Sequence, residues 1–235
     1  MNFIAIIPAR SGSKGIRNKN IVNFDGKPLI YWTINAALKC KLIDRVVVST
    51  DSPKIKDISE KYGASVPFLR PKKISGDKSK TLSAVKYTLK KIENEENYLY
   101  DYIVTLQPTS PLREKDDLEN AIKTILADKK ADSLVSCVKV PHNFLPESLM
   151  QLDGKYIKNF SKDKNNFRRQ DKKTLFARNG AAIYITKSKN ISKYLLGGNI
   201  LPYFMHYSNS IDIDTKEDLE KALLFKKILK KYDKC

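Results

Sequence analysis

The feature that most constrains this chain is an alternation that runs through most of its length. Apolar, β-branched runs of strand length take turns with stretches whose apolar residues recur at helical spacing. Strand-like runs also tend to hand over to a polar, loop-forming motif. FIAIIPA (3–9) leads into PARSGSKG, RVVVSTD (45–51) into STDS, and YIVTLQPTSPL (102–112) carries QPTSPLR. Further strands are expected at 64–69, 133–140 and 179–186. Helices are expected over 27–40, from Ser52-Pro53 onward with proline in the first turn, and over 79–96, 116–127 and 215–233. This β-α-β-α order predicts an α/β fold, a mostly parallel sheet with helices on both faces. Ligands of such sheets sit at the carboxyl ends of the strands, so PARSGSKG, STDS, QPTSPLR and SIDID are expected to meet at one edge.

One stretch interrupts the rhythm of the expected single domain, 1–235. Residues 141–178 read as an inserted lid or dimerisation arm, with a plain solvated loop as the alternative for the charged half, SKDKNNFRRQDKK. Within it, MQLDGKYIKNF has the pattern of a hairpin turning at Asp153-Gly154.

Composition narrows the function classes. The chain is 41% hydrophobic over 235 residues, enough for a sizeable core. No apolar run approaches the roughly 18 residues of a membrane span. MNFIAIIPAR lacks a basic segment before its apolar stretch and reads as a buried strand, not a signal peptide. Cys40, Cys137 and Cys235 are an odd number at wide spacing, which points away from disulfides and zinc and fits a reducing cytoplasm. The net charge of +18 raises a nucleic-acid partner. The lysines are scattered, however, and no RNA-recognition, zinc-finger or KH signature is present.

Three motifs carry chemistry. In IPARSGSKGIRNKN (7–20), Arg10, Lys14, Arg17 and Lys19 crowd around Gly12 and Gly15. It is neither a Walker A nor a G-x-G-x-x-G loop. Even so, glycines that let amides turn inward, with Arg10, Lys14 and Lys19 to neutralise charge, suit a polyanion such as a nucleoside triphosphate. In QPTSPLR (107–113) two prolines rigidify a turn that presents Gln107, Thr109 and Ser110, which suits a hydroxyl-rich ligand. In SIDIDT (210–215), Asp212 and Asp214 stand two apart in an extended stretch and share a face, a hard oxygen site suited to Mg²⁺. Helix capping by Asp214 or Thr215 is the plainer alternative. His142 and His206 complete no nucleophilic triad.

Taken together, IPARSGSKGIRNKNI, DGKPLIYWTINAAL, VVVSTDS, LRP, LQPTSPLR, RNGAAIYI and SIDIDT resemble the acylneuraminate cytidylyltransferases, in the right order and over nearly the whole chain. The resemblance implies a nucleotide-diphosphosugar-transferase-like fold, a homodimer, and transfer of CMP from CTP to a nonulosonic acid with Mg²⁺ and release of pyrophosphate. It implies that Arg10, Lys14 and Lys19 hold the triphosphate, and that Asn20, Arg70, Ser79 and Thr81 lie around the cytidine. Gln107, Thr109 and Ser110 would face the sugar, with Tyr184 nearby. Arg169 and Arg178 would attract carboxylate or phosphate. Asp212 and Asp214 would handle metal and proton. PHNFLPESLM (141–150) departs from well-known sialic acid enzymes and leaves N-acetylneuraminate, legionaminate and pseudaminate open. The enzyme for the eight-carbon acid of lipopolysaccharide cores shares PAR but goes straight to a short R-L-P-G-K-P run, without the longer GIRNKNIVNFDGKP found here.

Overall fold

A computed structural model describes residues 1–13, 15–161, 173–180 and 182–232. Its main sheet is built from β1 (Phe3–Pro8), β4 (Arg45–Ser49), β5 (Tyr102–Thr105), β6 (Ser133–Lys139), β9 (Phe176–Arg178), β10 (Tyr184–Lys187) and β11 (Ile200–Phe204). The order is β11-β6-β10-β5-β1-β4, with β9 also on β6. Strands β4, β1, β5, β6 and β11 run parallel, and β9 and β10 run against them. The expected mostly parallel α/β sheet is therefore present, but mixed, with one reversed strand, β10, at its centre.

Period-2 alternation along β1 sorts its side chains onto the two faces. Phe3, Ala5 and Ile7 join the larger core with α1 (Leu29–Lys39), α2 (Pro53–Lys61) and α4 (Lys115–Ala127). Ile4 and Ile6 face Val85, Leu89 and Ile92 of α3 (Thr81–Glu96). A third cluster seats α5 (Lys216–Tyr232) on Ile16, Phe24, Leu29, Leu112 and Ile213, and so binds three of the polar motifs to one another. Phe24 belongs to a two-residue ribbon, β2 (Asn23–Phe24) with β3 (Lys27–Pro28), which the sequence pattern did not predict.

The boundaries differ from expectation in instructive places. Residues 64–69 make only an isolated bridge, Ser65 to Val47, since Pro67 has no N–H to continue a ladder. The strand expected from Asn179 begins only at Tyr184. Gly180 has φ +66°, a left-handed conformation that takes the chain off the ladder. Ser136 of β6 faces this excursion: its N–H donates to the Ile183 carbonyl (2.9 Å), and its hydroxyl to Asn179 Oδ1 (2.6 Å). The hairpin expected within residues 141–178 is present as β7 (Met150–Asp153) and β8 (Tyr156–Asn159), turning with Gly154 at φ +59°.

Candidate active site

The parallel strands end at one edge of the sheet, and a cleft of about 530 Å³ opens there. Its walls come from motifs far apart in sequence. Arg10, Gly12, Gly15, Lys19 and Asn20 follow β1. Arg70, Ser79 and Thr81 come from the connection into α3. Gln107 and Thr109 follow β5, and Asp214 precedes α5. Nine of the predicted site residues therefore line one cavity: Arg10, Lys19, Asn20, Arg70, Ser79, Thr81, Gln107, Thr109 and Asp214. Lys14 and Arg169 lie outside the described residues.

The basic loop is held open by acids from other motifs. Arg10 donates from Nη1 to Asp77 Oδ1 at 2.5 Å, and Lys19 Nζ to Asp214 Oδ1 at 2.7 Å. The Ser11 amide and hydroxyl both donate to the Asp51 carboxylate, at 2.9 and 2.7 Å. Asn20 is buried and donates from its side-chain amide to the Arg10 carbonyl, fixing the curve of the loop. Gly15 sits so close to Asp214 that a Cβ there would fall 2.2 Å from its carbonyl oxygen. Arg70 is almost fully buried beneath the cleft, donating to Ser75 Oγ (3.0 Å) and the Ser49 carbonyl (3.3 Å). Burial lowers its pKa, while Asp51 works in the opposite direction. The Asp51 and Asp77 contacts were not foreseen, because a lone aspartate in a polar loop carries no local signal.

Asp212 and Asp214 are near enough to interact, but their surroundings differ. Ile213 between them is fully buried, with its N–H bonded to the Thr109 carbonyl at 2.8 Å. Asp214 is exposed, whereas Asp212 turns inward, with Oδ1 buried and without a hydrogen-bond partner. Burial pushes the Asp212 carboxyl up; Thr109 and Lys19 pull it down, and Asp214 adds to the rise. Gly180 packs directly on this carboxylate, since a Cβ on it would stand 2.5 Å from Asp212 Oδ2. Tyr184 donates to the Gly180 carbonyl (2.8 Å); burial pushes its hydroxyl up, and the nearby Arg178 guanidinium, exposed at the end of β9, pulls it back down. Arg178, Tyr184 and Asp212 thus form a second group beside the main cleft. Ser110 is fully buried with its hydroxyl unpaired, and it lies behind the lining. His206 caps a short turn and pairs with Ser208 at 2.7 Å, a local contact.

The donor set at Asp212 and Asp214 is chemically suited to a hard divalent cation. Two carboxylates stand close together, and a desolvated oxygen has no partner of its own.

The mixed α/β sheet flanked by helices is a nucleotidyltransferase-like fold, and solved structures share it. CMP:2-keto-3-deoxy-manno-octonic acid synthetase complexed with CTP superposes with a TM-score of 0.73 over 96% of this chain and 98% of that one, at 18% identity. A cytidylyltransferase from Leptospira borgpetersenii gives 0.60, over 100% of this chain and 96% of that one, at 17% identity. Residues 4–233 match the family model for cytidylyltransferases, and the chain belongs to that family. The N-acylneuraminate cytidylyltransferase of Escherichia coli O18:K1:H7 is 34% identical over 94% of this chain, which spans only 51% of the length of that protein. The pseudaminic acid cytidylyltransferase of Campylobacter jejuni is 30% identical over 97% of both chains. The CMP-N,N'-diacetyllegionaminic acid synthase of Legionella pneumophila is 34% identical over 93% of both.

Proposed function

We propose that this chain transfers CMP from CTP to the anomeric hydroxyl of a nonulosonic acid and releases pyrophosphate. The observation that carries the reading is the convergence of the basic loop, the Gln107–Thr109 turn and Asp214 on one cleft, with Asp212 beside it. The similarity to relatives acting on N-acylneuraminate, pseudaminate and legionaminate supports the sugar class.

Phosphoryl-type transfer needs charge neutralisation and alignment more than covalent help from the protein. Arg10 and Lys19, with Lys14, would neutralise the triphosphate, exchanging Asp77 and Asp214 for phosphate oxygens. Asn20, Arg70, Ser79 and Thr81 would surround the cytidine. Gln107 and Thr109 would hold the sugar, with Ser110 stiffening the turn behind them. Arg178, Arg169 and Tyr184 would receive its carboxylate. Asp212 and Asp214 would hold Mg²⁺, which when bound polarises a phosphate and lowers the pKa of a bound oxygen. Asp212, desolvated and held at its Oδ2 side by Gly180, is the better placed of the two to accept the attacking hydroxyl's proton.

The chain would work as a cytoplasmic homodimer. Met150, Leu152 and Ile157, all more than half exposed, share one face of the hairpin, an apolar surface that a second copy would cover. Among the described residues no helix is long and apolar enough to cross a membrane.

The test is pyrophosphate release with CTP, Mg²⁺ and a panel of N-acetylneuraminate, legionaminate and pseudaminate. Release with one sugar, abolished by EDTA and absent with ATP, is the expected result. Absence of release with all three, together with no CTP binding by calorimetry, would refute the reading.

A further inference from the structure

Arg113 ends the QPTSPLR run, and it breaks the rule that arginines of polar loops stay in water: only 2% of it is exposed. Among the described residues no carboxylate pairs with it. Nη1 donates to the Ala182 carbonyl, Nη2 donates to Thr33 Oγ1 at 2.8 Å, and Nε makes no hydrogen bond. The Thr33 hydroxyl lies 3.4 Å from the Gln107 carbonyl, to which it donates. Burial draws the guanidinium down to about 10, against the pull of Asp117 and Asp212. A cation buried on neutral oxygens is costly, and an apolar side chain of similar volume would fill the space without that cost. What the guanidinium adds is a fork that ties α1, the main chain at Gln107 and the strip carrying Gly180 and Ala182 at one point.

We propose that Arg113 is a positioning residue for the sugar half of the site, a clasp that fixes the distance between the Gln107–Thr109 turn and Asp212. The inference rests on the reading of this cleft as the place of transfer to a sugar acid. The strip that Arg113 holds at Ala182 is the one that packs Gly180 on the Asp212 carboxylate. The turn that it holds through Thr33 presents Gln107 and Thr109 to the cleft. The nucleotide half is held by other partners: Asp77 for Arg10, Asp214 for Lys19, Ser49 and Ser75 for Arg70. Loss of the clasp should therefore fall on the sugar and leave CTP binding alone.

The experiment compares Arg113→Met and Arg113→Lys with wild type in the full chain. It measures CTP affinity by calorimetry, pyrophosphate release against sugar-acid concentration, and amide hydrogen exchange at Gly180, Ile183 and Ser110. R113M is expected to keep wild-type CTP affinity and to exchange faster at those amides. Its kcat/KM for the sugar should fall by about 100-fold, the cost of a misplacement near 1 Å. R113K should recover part of that loss, because an ammonium donates to the same oxygens without the rigid fork. Wild-type kcat/KM for the sugar in R113M, or equal losses in CTP affinity and sugar turnover, would overturn the proposal. Should R113M fail to fold, R113K is judged by the same split. If wild type itself turns over no sugar acid, the functional reading falls, and exchange at Gly180, Ile183 and Ser110 decides the clasp by itself.

Discussion

Replacing Gly15 by alanine should separate stability from catalysis. The added Cβ would lie 2.2 Å from the Asp214 carbonyl oxygen, and real Cβ contacts essentially never fall below 3.0 Å, so the two segments must part by at least 0.8 Å. No rotamer relieves the clash, since its partner is backbone. Asp214 cannot yield easily: Ile213 is fully buried and bonded to Thr109, and the Asp214 and Thr215 amides donate to Asp218 at 3.2 and 2.9 Å. The basic loop, exposed at Ser11, Gly12 and Gly15, must therefore move, carrying Arg10 and Lys19 away from their places. Few buried contacts are lost, so unfolding free energy should drop by only about 1 kcal/mol. A shift of this size at a phosphate-binding loop should lower kcat/KM for CTP by about 100-fold, or about 2.7 kcal/mol of transition-state stabilisation. Urea unfolding and pyrophosphate release measure the two quantities. Gly12→Ala is the stability control, as its Cβ would meet nothing within 4 Å. Wild-type kcat/KM for CTP in G15A would refute the claim that this contact sets the loop's position.

Two further outcomes concern the Lys19–Asp214 pair and the Tyr203–Asp117 bond. The Lys19–Asp214 pair joins a side chain 15% exposed to one 74% exposed, so Lys19→Met should change stability by no more than about 1 kcal/mol while CTP affinity, read by calorimetry, falls at least tenfold. Tyr203 donates to Asp117 Oδ1 at 3.3 Å, and burial pushes its hydroxyl up to about 12. The unfolded chain ionises this group first, near its ordinary value of about 10, so its contribution is intact below that pH and is lost as the pH climbs towards 12. Urea unfolding of Tyr203→Phe should accordingly show a smaller alkaline loss than wild type.

Much of this architecture was legible because period and motif are local properties. FIAIIPA and RVVVS announce buried strands, and the position of PARSGSKG, STDS and QPTSPLR after strand-like runs was enough to bring three motifs to one edge. What stayed hidden depends on partners distant in sequence. The reversal of β10 leaves no mark in its own residues, because an apolar run reads alike in both directions. Strand β11, ILPYF, alternates between exposed and half-buried residues around a proline, and among the described residues it pairs only with β6, which leaves too weak a pattern to recognise. NGAAIYI reads as continuous strand because Gly180 is one residue in an apolar run, while its left-handed φ goes with contacts from elsewhere in the chain, Asp212 packed on it and Ser136 bonded to Asn179 and Ile183. Arg113 is the extreme case: an arginine after a proline-rich turn has every local mark of a surface residue, and only tertiary packing reveals it as buried.

The charge arrangement in the cleft ties these points together. Arg10 and Lys19 are each matched by an acid in the free protein, and the acids come from different connections: Asp77 precedes α3 and Asp214 precedes α5. Such part-exposed pairs are worth about 0–1 kcal/mol, so exchanging a carboxylate for a phosphate oxygen costs little. Their value is geometric, because each acid keeps a long, flexible cation pointing at the place a phosphate would take. Ser11 with Asp51 does the same for the backbone of the loop. The basic motif visible in the sequence is therefore half of a device whose other half is acidic and dispersed. The +18 of the whole chain says little about the cleft, where these two cations are already neutralised by neighbours.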